Sequence, residues 1–157
     1  MSNLIARKVG QIRHGVYAAQ DYLTAAGVPK TPDDLLHHVC LVIKAAGMSR
    51  PLDKWEFQRG RERKIIEHAP RVVTYDREGL IAAVIAGAGL MRLGCFDPYL
   101  IASGQLRKVL ADWTCPPGFT IFAMYRKTAR MSPKVAAFLQ FVDDAFAALD
   151  ALQAHYL

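Results

Sequence analysis

Apolar positions switch between unbroken runs and helical spacing several times along the chain, and the most complete switch lies near its middle. Residues 72–75 (VVTY) form a short apolar run of strand type. Leu80, Ile81, Val84 and Ile85 follow at the spacing of one helix face. Asp76, Arg77 and Glu78 open that helix, with carboxylates at the end where the helix dipole favours negative charge. Gly87 and Gly89 stop it and allow a tight turn, after which residues 90–93 begin another apolar run. The pattern predicts strand, helix, strand. The turn between the first two is the kind of place where an α/β protein holds a small ligand.

The flanking segments read in the same way. Residues 4–9 alternate apolar with basic and predict an edge strand, and residues 15–19 (GVYAA) predict a short buried one. Residues 20–26 (QDYLTAA) predict a short helix closed by Gly27 and followed by Pro29. A second helix starts with Thr31 as N-cap, Pro32 at its first position, and Asp33 and Asp34 in its first turn. Residues 39–43 form a continuous apolar strand of the type buried on both faces. After a loop over 44–53, Trp55 and Phe57 alternate with charged residues, and Gly60 separates them from a matching run around Ile65, a β-hairpin signal. Residues 96–102 predict a short helix starting near Asp97 and Pro98, and 106–110 a strand. A proline-stiffened loop over 111–118 leads to a strongly β-prone strand at 119–125 (FTIFAMY). Ser132 and Pro133 open the last helix, whose Val135, Phe138, Leu139, Val142, Ala145, Phe146 and Leu149 make a broad apolar stripe. Strands alternate with helices throughout, which points to an α/β fold.

Composition narrows the function. The 157 residues suffice for one compact domain or two small lobes, and an apolar fraction of 52% argues against disorder. A net charge of +6 raises the question of nucleic acid. The basic residues are scattered, however, apart from Arg59, Arg61, Arg63 and Lys64 in one segment and Arg126, Lys127 and Arg130 in another. The first cluster is interleaved with Glu56, Glu62 and Glu67, as in a solvated hairpin tip rather than a surface that reads base edges. Cys40, Cys95 and Cys115 are odd in number and form no CxxC pair, so they suggest reduced, buried thiols rather than zinc or disulfides. No run approaches the 18 apolar residues of a membrane span, and residues 1–15 lack the apolar core of a signal peptide. The expected location is the cytoplasm, with no cofactor.

At this point the order of motifs matters. Tyr22, Leu23, Gly27, Pro29, Thr31, Pro32, Asp34, Leu35, His38, Cys40 and Leu41 make a "YL…G.P.tp.dL..H.cl" pattern, followed by Trp55 and Phe57. Leu80, Ala86, Gly87 and Gly89 fit "aa.aGlGi", and Leu100, Gly104, Leu106, Val109, Leu110 and Trp113 fit "L..G.L..vL.dw". Ser132, Pro133, Lys134, Val135 and Phe138 fit "lspkv.aFi.f". In this order the chain, from about residue 4 to 149, resembles the effector-binding domain of LysR-type transcriptional regulators. The resemblance implies a type 2 periplasmic-binding-protein-like fold, with two α/β lobes joined by two crossing strands and a ligand between them. It places the crossing strands at 15–19 and 119–125, a nearly complete second lobe at about 20–118, and a partial first lobe in the remaining residues. The winged helix-turn-helix DNA-binding domain and the opening βαβ portion of the first lobe are expected to be absent, which implies an N-terminally truncated regulator.

Ligands of such a fold sit where strand ends and helix N-termini face a cleft, because the N–H groups there bind anions without a charged side chain. Three places qualify: Ala19 and Gln20 at one strand exit; Asp76, Arg77 and Glu78 at a helix start; and Gly94, Cys95 and Phe96 at another strand exit. The family often has Ser or Thr followed by Pro at the first place, and Ala19-Gln20 departs from that. Plainer roles exist for each: Asp76 and Glu78 as cap and first-turn charge, Arg77 as a solvated cation, Cys95 as a buried thiol with no adjacent base. His37 and His38 point to different helix faces, and no metal-ligand spacing, GxSxG or phosphate loop occurs.

These readings converge on a non-enzymatic effector-binding module that senses a small organic acid or aromatic metabolite. Its expected partners are that effector and further copies of the chain, as a homodimer or larger. DNA is engaged only through the absent helix-turn-helix, and membrane not at all. The alternative is a stand-alone small-molecule-binding or dimerisation module, such as a solute-binding protein, which would need export. An α/β enzyme with Cys95 as nucleophile is a third possibility, disposed of by a thiol titration that finds Cys95 ordinary. Direct DNA binding through the basic surface is a fourth, disposed of by a gel shift without a specific complex.

Overall fold

The computed structural model describes residues 3–44, 47–94, 99–116, 118–127 and 132–156, with the side chains of the last helix described as far as residue 151. The elements begin β1 (Leu4–Gln11), β2 (His14–Ala18), α1 (Gln20–Ala26), a 3-10 helix (Pro32–His37) and β3 (Cys40–Ile43). A hairpin of β4 (Lys54–Arg59) and β5 (Glu62–Glu67) follows, then β6 (Val72–Thr74), α2 (Arg77–Ile85) and β7 (Leu90–Gly94). The chain ends with α3 (Tyr99–Ala102), β8 (Arg107–Val109), β9 (Thr120–Arg126) and α4 (Pro133–Tyr156). Of the short helix expected at 96–102, the start at Asp97-Pro98 lies outside the described residues.

A five-stranded sheet in the order β6-β3-β7-β2-β8 organises the centre. β3 pairs in parallel with both β6 and β7, so the strand–helix–strand unit at 72–94 straddles β3 rather than closing on itself. This central place explains the unbroken apolar run of β3: Cys40, Leu41 and Val42 are all buried. One face of the sheet carries Val16, Ala18, Val42, Leu90 and Val109, covered by Leu23, Leu35 and the hairpin residues Trp55, Phe57 and Ile66. The other carries Tyr17, Leu41 and Met91 under Leu80, Ile81 and Val84 of α2. Alternation along β4 thus has a direct cause, since Trp55 and Phe57 face the core while Lys54 and Gln58 face water.

The 3-10 helix is fixed at its start by Asp34, whose carboxylate accepts the N–H groups of Lys30 (2.8 Å) and Thr31 (2.9 Å). Those backbone donors hold its carboxyl below the usual range.

β1 and β9 form a separate antiparallel pair, and α4 lies along it. Leu139 is buried there, Arg7 reaches Asp143 at 2.6 Å, and the Phe146 ring occupies the space a side chain at residue 10 would need. These two strands cover the apolar stripe on α4 only in part: of its residues Leu139 is buried, Val135, Val142, Phe146 and Leu149 are half-buried, and Ala145 is exposed. Its Phe138 and the neighbouring Phe141 stay exposed, as do Leu4, Phe122 and Met124 of the two-stranded pair. The chain passes between the two sheets at Ile12–Arg13 and Gly118–Phe119; β2 itself, expected as a crossing strand, is an interior strand of the five-stranded sheet. Ile12 makes two backbone hydrogen bonds across this crossing, donating its N–H to Phe119 O at 3.0 Å and accepting the Gly118 N–H at 2.8 Å.

Candidate functional site

The carboxyl ends of β3, β6 and β7 all lie along one edge of the sheet because these strands run parallel. β2 runs against β7 with His14 opposite Gly94, so His14 arrives at the same edge. Ligands of α/β sheets collect outside such an edge. Two of the three sequence-derived places meet here.

At the first, Asp76 caps α2: its Oδ2 accepts the Gly79 N–H at 2.6 Å, and Thr74 Oγ1 accepts the Asp76 N–H at 3.1 Å. Arg77 follows, pairing with the exposed Glu78 at 2.8 Å and extending a second guanidinium nitrogen to within 3.5 Å of the Gly94 carbonyl. Its stem lies along Ile81, Met91, Leu93, Leu100 and Leu106. The cation therefore bridges the start of α2 and the exit of β7, with its head at the rim and its stem in the core. Gly94 is buried, and a Cβ there would stand 2.2 Å from Ile12 Cγ2, so the strand exit is pressed against the chain crossing. Cys95 and Phe96 lie outside the described residues.

Ala19 and Gln20 are not part of this cluster. Ala18 pairs with Leu90 at the opposite end of the same strands, one β2 length away, which is about 15 Å at roughly 3.3 Å per residue. Gln20 instead contacts Thr24 within α1, at 3.3 Å, and Arg107, at 3.4 Å. Replacing Asp76 by alanine removes the α2 cap, and a loss of about 1 kcal/mol in a urea melt is expected. A loss under about 0.3 kcal/mol would mean that the cap contributes nothing to holding Arg77 in place.

Arg92 is a functional candidate that no sequence motif marks. It interrupts the apolar run of β7, pairs with Val16, and so projects from the face opposite α2. A cavity of about 320 Å³ opens there, lined by His14, Leu52, Lys54, Glu56, Arg92, Pro116, Gly118 and Phe119. Burial, aided by the Arg92 charge, lowers the His14 imidazole to about 4, and the same two causes lower His68 to about 4. His68 is buried edge-on against Trp55, with ring centroids 4.3 Å apart. Both rings are neutral in the folded chain near pH 5, whereas an unfolded histidine titrates near 6.5. The folded state then binds fewer protons than the unfolded one between pH 6.5 and 4, so this part of the stability is complete above 6.5 and is lost as pH falls through that window. Urea midpoints are expected to drop from pH 7 to pH 5, with a shallower drop in His68→Gln; a midpoint unchanged over that range would contradict it.

Other candidate chemistry is accounted for locally. Burial pushes the Cys40 thiol up to about 12, and its Sγ faces Leu35 O at 3.7 Å, so it is no nucleophile near neutral pH. The hairpin cations are largely engaged: Arg59 with Glu62 and over the Trp113 ring, Arg63 with Glu56, and Lys64 with Asp33. Among the described residues, no three His, Cys, Asp or Glu side chains gather as a metal would require, and no helix is long and apolar enough to cross a membrane.

Comparison with known proteins bears on this arrangement. A family model described as LysR substrate binding domain matches residues 1–147. An HTH-type transcriptional regulator of Xanthomonas campestris pv. campestris (strain 8004) is 34% identical over 144 residues, covering 90% of this chain and 41% of that protein. The HTH-type transcriptional regulator YcaN of Escherichia coli (strain K12) is 34% identical over 130 residues, covering 81% and 40%. Among solved structures, the regulatory domain of AphB in Vibrio vulnificus superposes with a TM-score of 0.71 at 26% identity, covering 90% of this chain and 69% of that one. The regulatory domain of CrgA, a LysR-type transcriptional regulator from Neisseria meningitidis, gives 0.68 at 26% identity, covering 91% and 69%. The chain spans about two-fifths of the length of the two regulators it matches.

Proposed function

Since the chain belongs to the LysR substrate-binding domain family, whose members here are transcriptional regulators, we propose that it senses a small organic metabolite at the carboxyl edge of its five-stranded sheet. The observation that carries this reading is the meeting of the α2 N-terminus, the Arg77 guanidinium and the β7 exit at one point of that edge. Dipole, backbone donors and a cation converge there, a combination suited to a carboxylate. Cys95 and Phe96 continue the chain from Gly94 and belong to the proposed contact set. Ala19 and Gln20 leave it, because they sit at the other end of β2.

In the intact regulator, residues 20–118 act as the second lobe and the β1–β9 pair with α4 as part of the first. A small organic acid or aromatic metabolite between them shifts the balance of lobe orientations, which requires unequal affinity for the two. The readout is DNA binding by a helix-turn-helix domain in the cytoplasm, with no chemical step.

The test is thermal unfolding of the chain in a panel of short dicarboxylates and aromatic carboxylates. A ligand at a hundred times its Kd stabilises by about 2.7 kcal/mol, a rise of several degrees in Tm for a domain of this size. At least one acid should raise Tm in this way, and Arg77→Ala should abolish the rise. A rise that survives Arg77→Ala unchanged would remove the proposed site. Light scattering should find a dimer or larger species, and a clean monomer would count against self-association through the exposed Phe122, Met124, Phe138 and Phe141 surface.

A further inference from the structure

We propose that the cavity at Arg92 is a second ligand site, which takes a small monocarboxylate with an apolar body on the sheet face opposite α2. It stands independently of where the effector sits, because Arg77 and Arg92 project from opposite faces.

Arg92 brings to the cavity a positive charge with no ion-pair partner among the described residues. Arg92 is half-buried, which pulls its pKa down, yet a guanidinium remains protonated in a protein. Among the described residues no carboxylate forms an ion pair with it: Glu56 attracts it but is bridged to Arg63, and Glu67 is bridged to Lys54. Its hydrogen-bonding partner is Cys115, whose sulfur is a weak acceptor. A half-buried guanidinium whose hydrogen-bonding partner is so weak an acceptor has donors to spare, and a carboxylate in the cavity would take them. The planar fork of guanidinium donors matches the two oxygens of a carboxylate.

The walls specify the rest of the ligand. Leu52, Pro116 and the Phe119 ring give an apolar lining, and Phe119 stands edge-on to His14 with centroids 6.5 Å apart. His14 is neutral at physiological pH and can share one hydrogen bond. Lys54 and Glu56 line the cavity with opposite charges, so with Arg92 and a neutral His14 the lining carries one net positive charge, which a single carboxylate balances. A volume of about 320 Å³ is at the small end of ligand pockets and fits one ring with its carboxylate.

The experiment is an ¹H–¹⁵N NMR titration of the chain with sodium benzoate, with benzamide as the neutral isostere. Benzoate should produce saturable shifts at the Arg92 Nε–H and at the Gly118 and Phe119 amides, and benzamide none at the same concentrations. The response should vanish in Arg92→Met and persist in Arg77→Ala. Glu56→Gln should tighten benzoate several-fold, an arm that decides the matter even if Arg92→Met fails to fold. The proposal is overturned by shifts that never saturate, by an equal response to benzamide, by an unchanged affinity in Glu56→Gln, or by a response lost in Arg77→Ala and kept in Arg92→Met. The last pattern would assign benzoate to the effector edge, leaving that reading standing while this one falls.

Discussion

Gly89→Ala is expected to destabilise the chain by about 3 kcal/mol or more, a large fraction of the roughly 5–15 kcal/mol that holds a domain folded. Two costs add. Gly89 has φ +155°, a backbone region essentially reserved for glycine. A Cβ on that backbone would stand 2.3 Å from the Val39 carbonyl oxygen and 2.7 Å from Leu41 Cδ1. The carbonyl cannot give way cheaply, because it accepts the Leu90 N–H at 2.8 Å where β7 begins to pair with β3. Gly87 supplies the control. Its φ is +81°, with nothing within 4 Å of the added atom, so alanine there meets strain without a clash and should cost only about 1 kcal/mol. Urea melts of the two variants separate the effects. Equal losses would mean that close approach to β3 is not why residue 89 is glycine.

Phe57→Ala is expected to cost about 3–5 kcal/mol, the usual range for deleting a buried aromatic side chain. Phe57 is fully buried and, with Trp55 and Ile66, attaches the hairpin to the sheet face bearing Val16, Ala18 and Leu90. Among the described residues the hairpin strands pair with each other and, beyond that, through the isolated bridge at Gln58 and Thr114, so side-chain packing is the main thing holding them down. Hydrogen exchange should accordingly show β4 and β5 losing protection first while the β1–β9 pair keeps its own. A loss below about 1 kcal/mol, or uniform deprotection, would show that the hairpin is not anchored by this ring.

Local pattern was enough to place nearly every element. The 3.6-residue spacing of Leu80, Ile81, Val84 and Ile85, with Asp76 before it, gave α2 and its cap, and the Trp55–Phe57 alternation gave β4 with its buried face. What local pattern does not contain is which strands become neighbours. That is why β3 comes between β6 and β7, and why residues 15–19, legible as a buried strand, belong inside the sheet. The same gap decides the site. Three strand exits or helix starts look alike in sequence, and only the antiparallel pairing of β2 with β7 sends Ala19 and Gln20 to the far end while bringing Gly94 to Arg77. Arg92 was hidden for a different reason. A single charge inside an apolar run was its one signal, and the run was read for its periodicity.

The crossing at Ile12, Gly118 and Phe119 turns this topology into a mechanical element. Among the described residues two segments of backbone pass there, joined by two hydrogen bonds through Ile12, and a Cβ at residue 118 would strike both the Ile12 carbonyl and the His14 ring. The C-terminal part of α4 sits near this point, where Arg13 reaches Asp150 at 4.0 Å, while its N-terminal turn lies out beside Met124 and Tyr125. From Asp150 back to Pro133 the helix is about 26 Å long at 1.5 Å per residue, so a turn of about 5° at the crossing moves its outer end by about 2 Å. α4 is thus a lever arm anchored near the crossing, so a small rotation there would be magnified at its outer end.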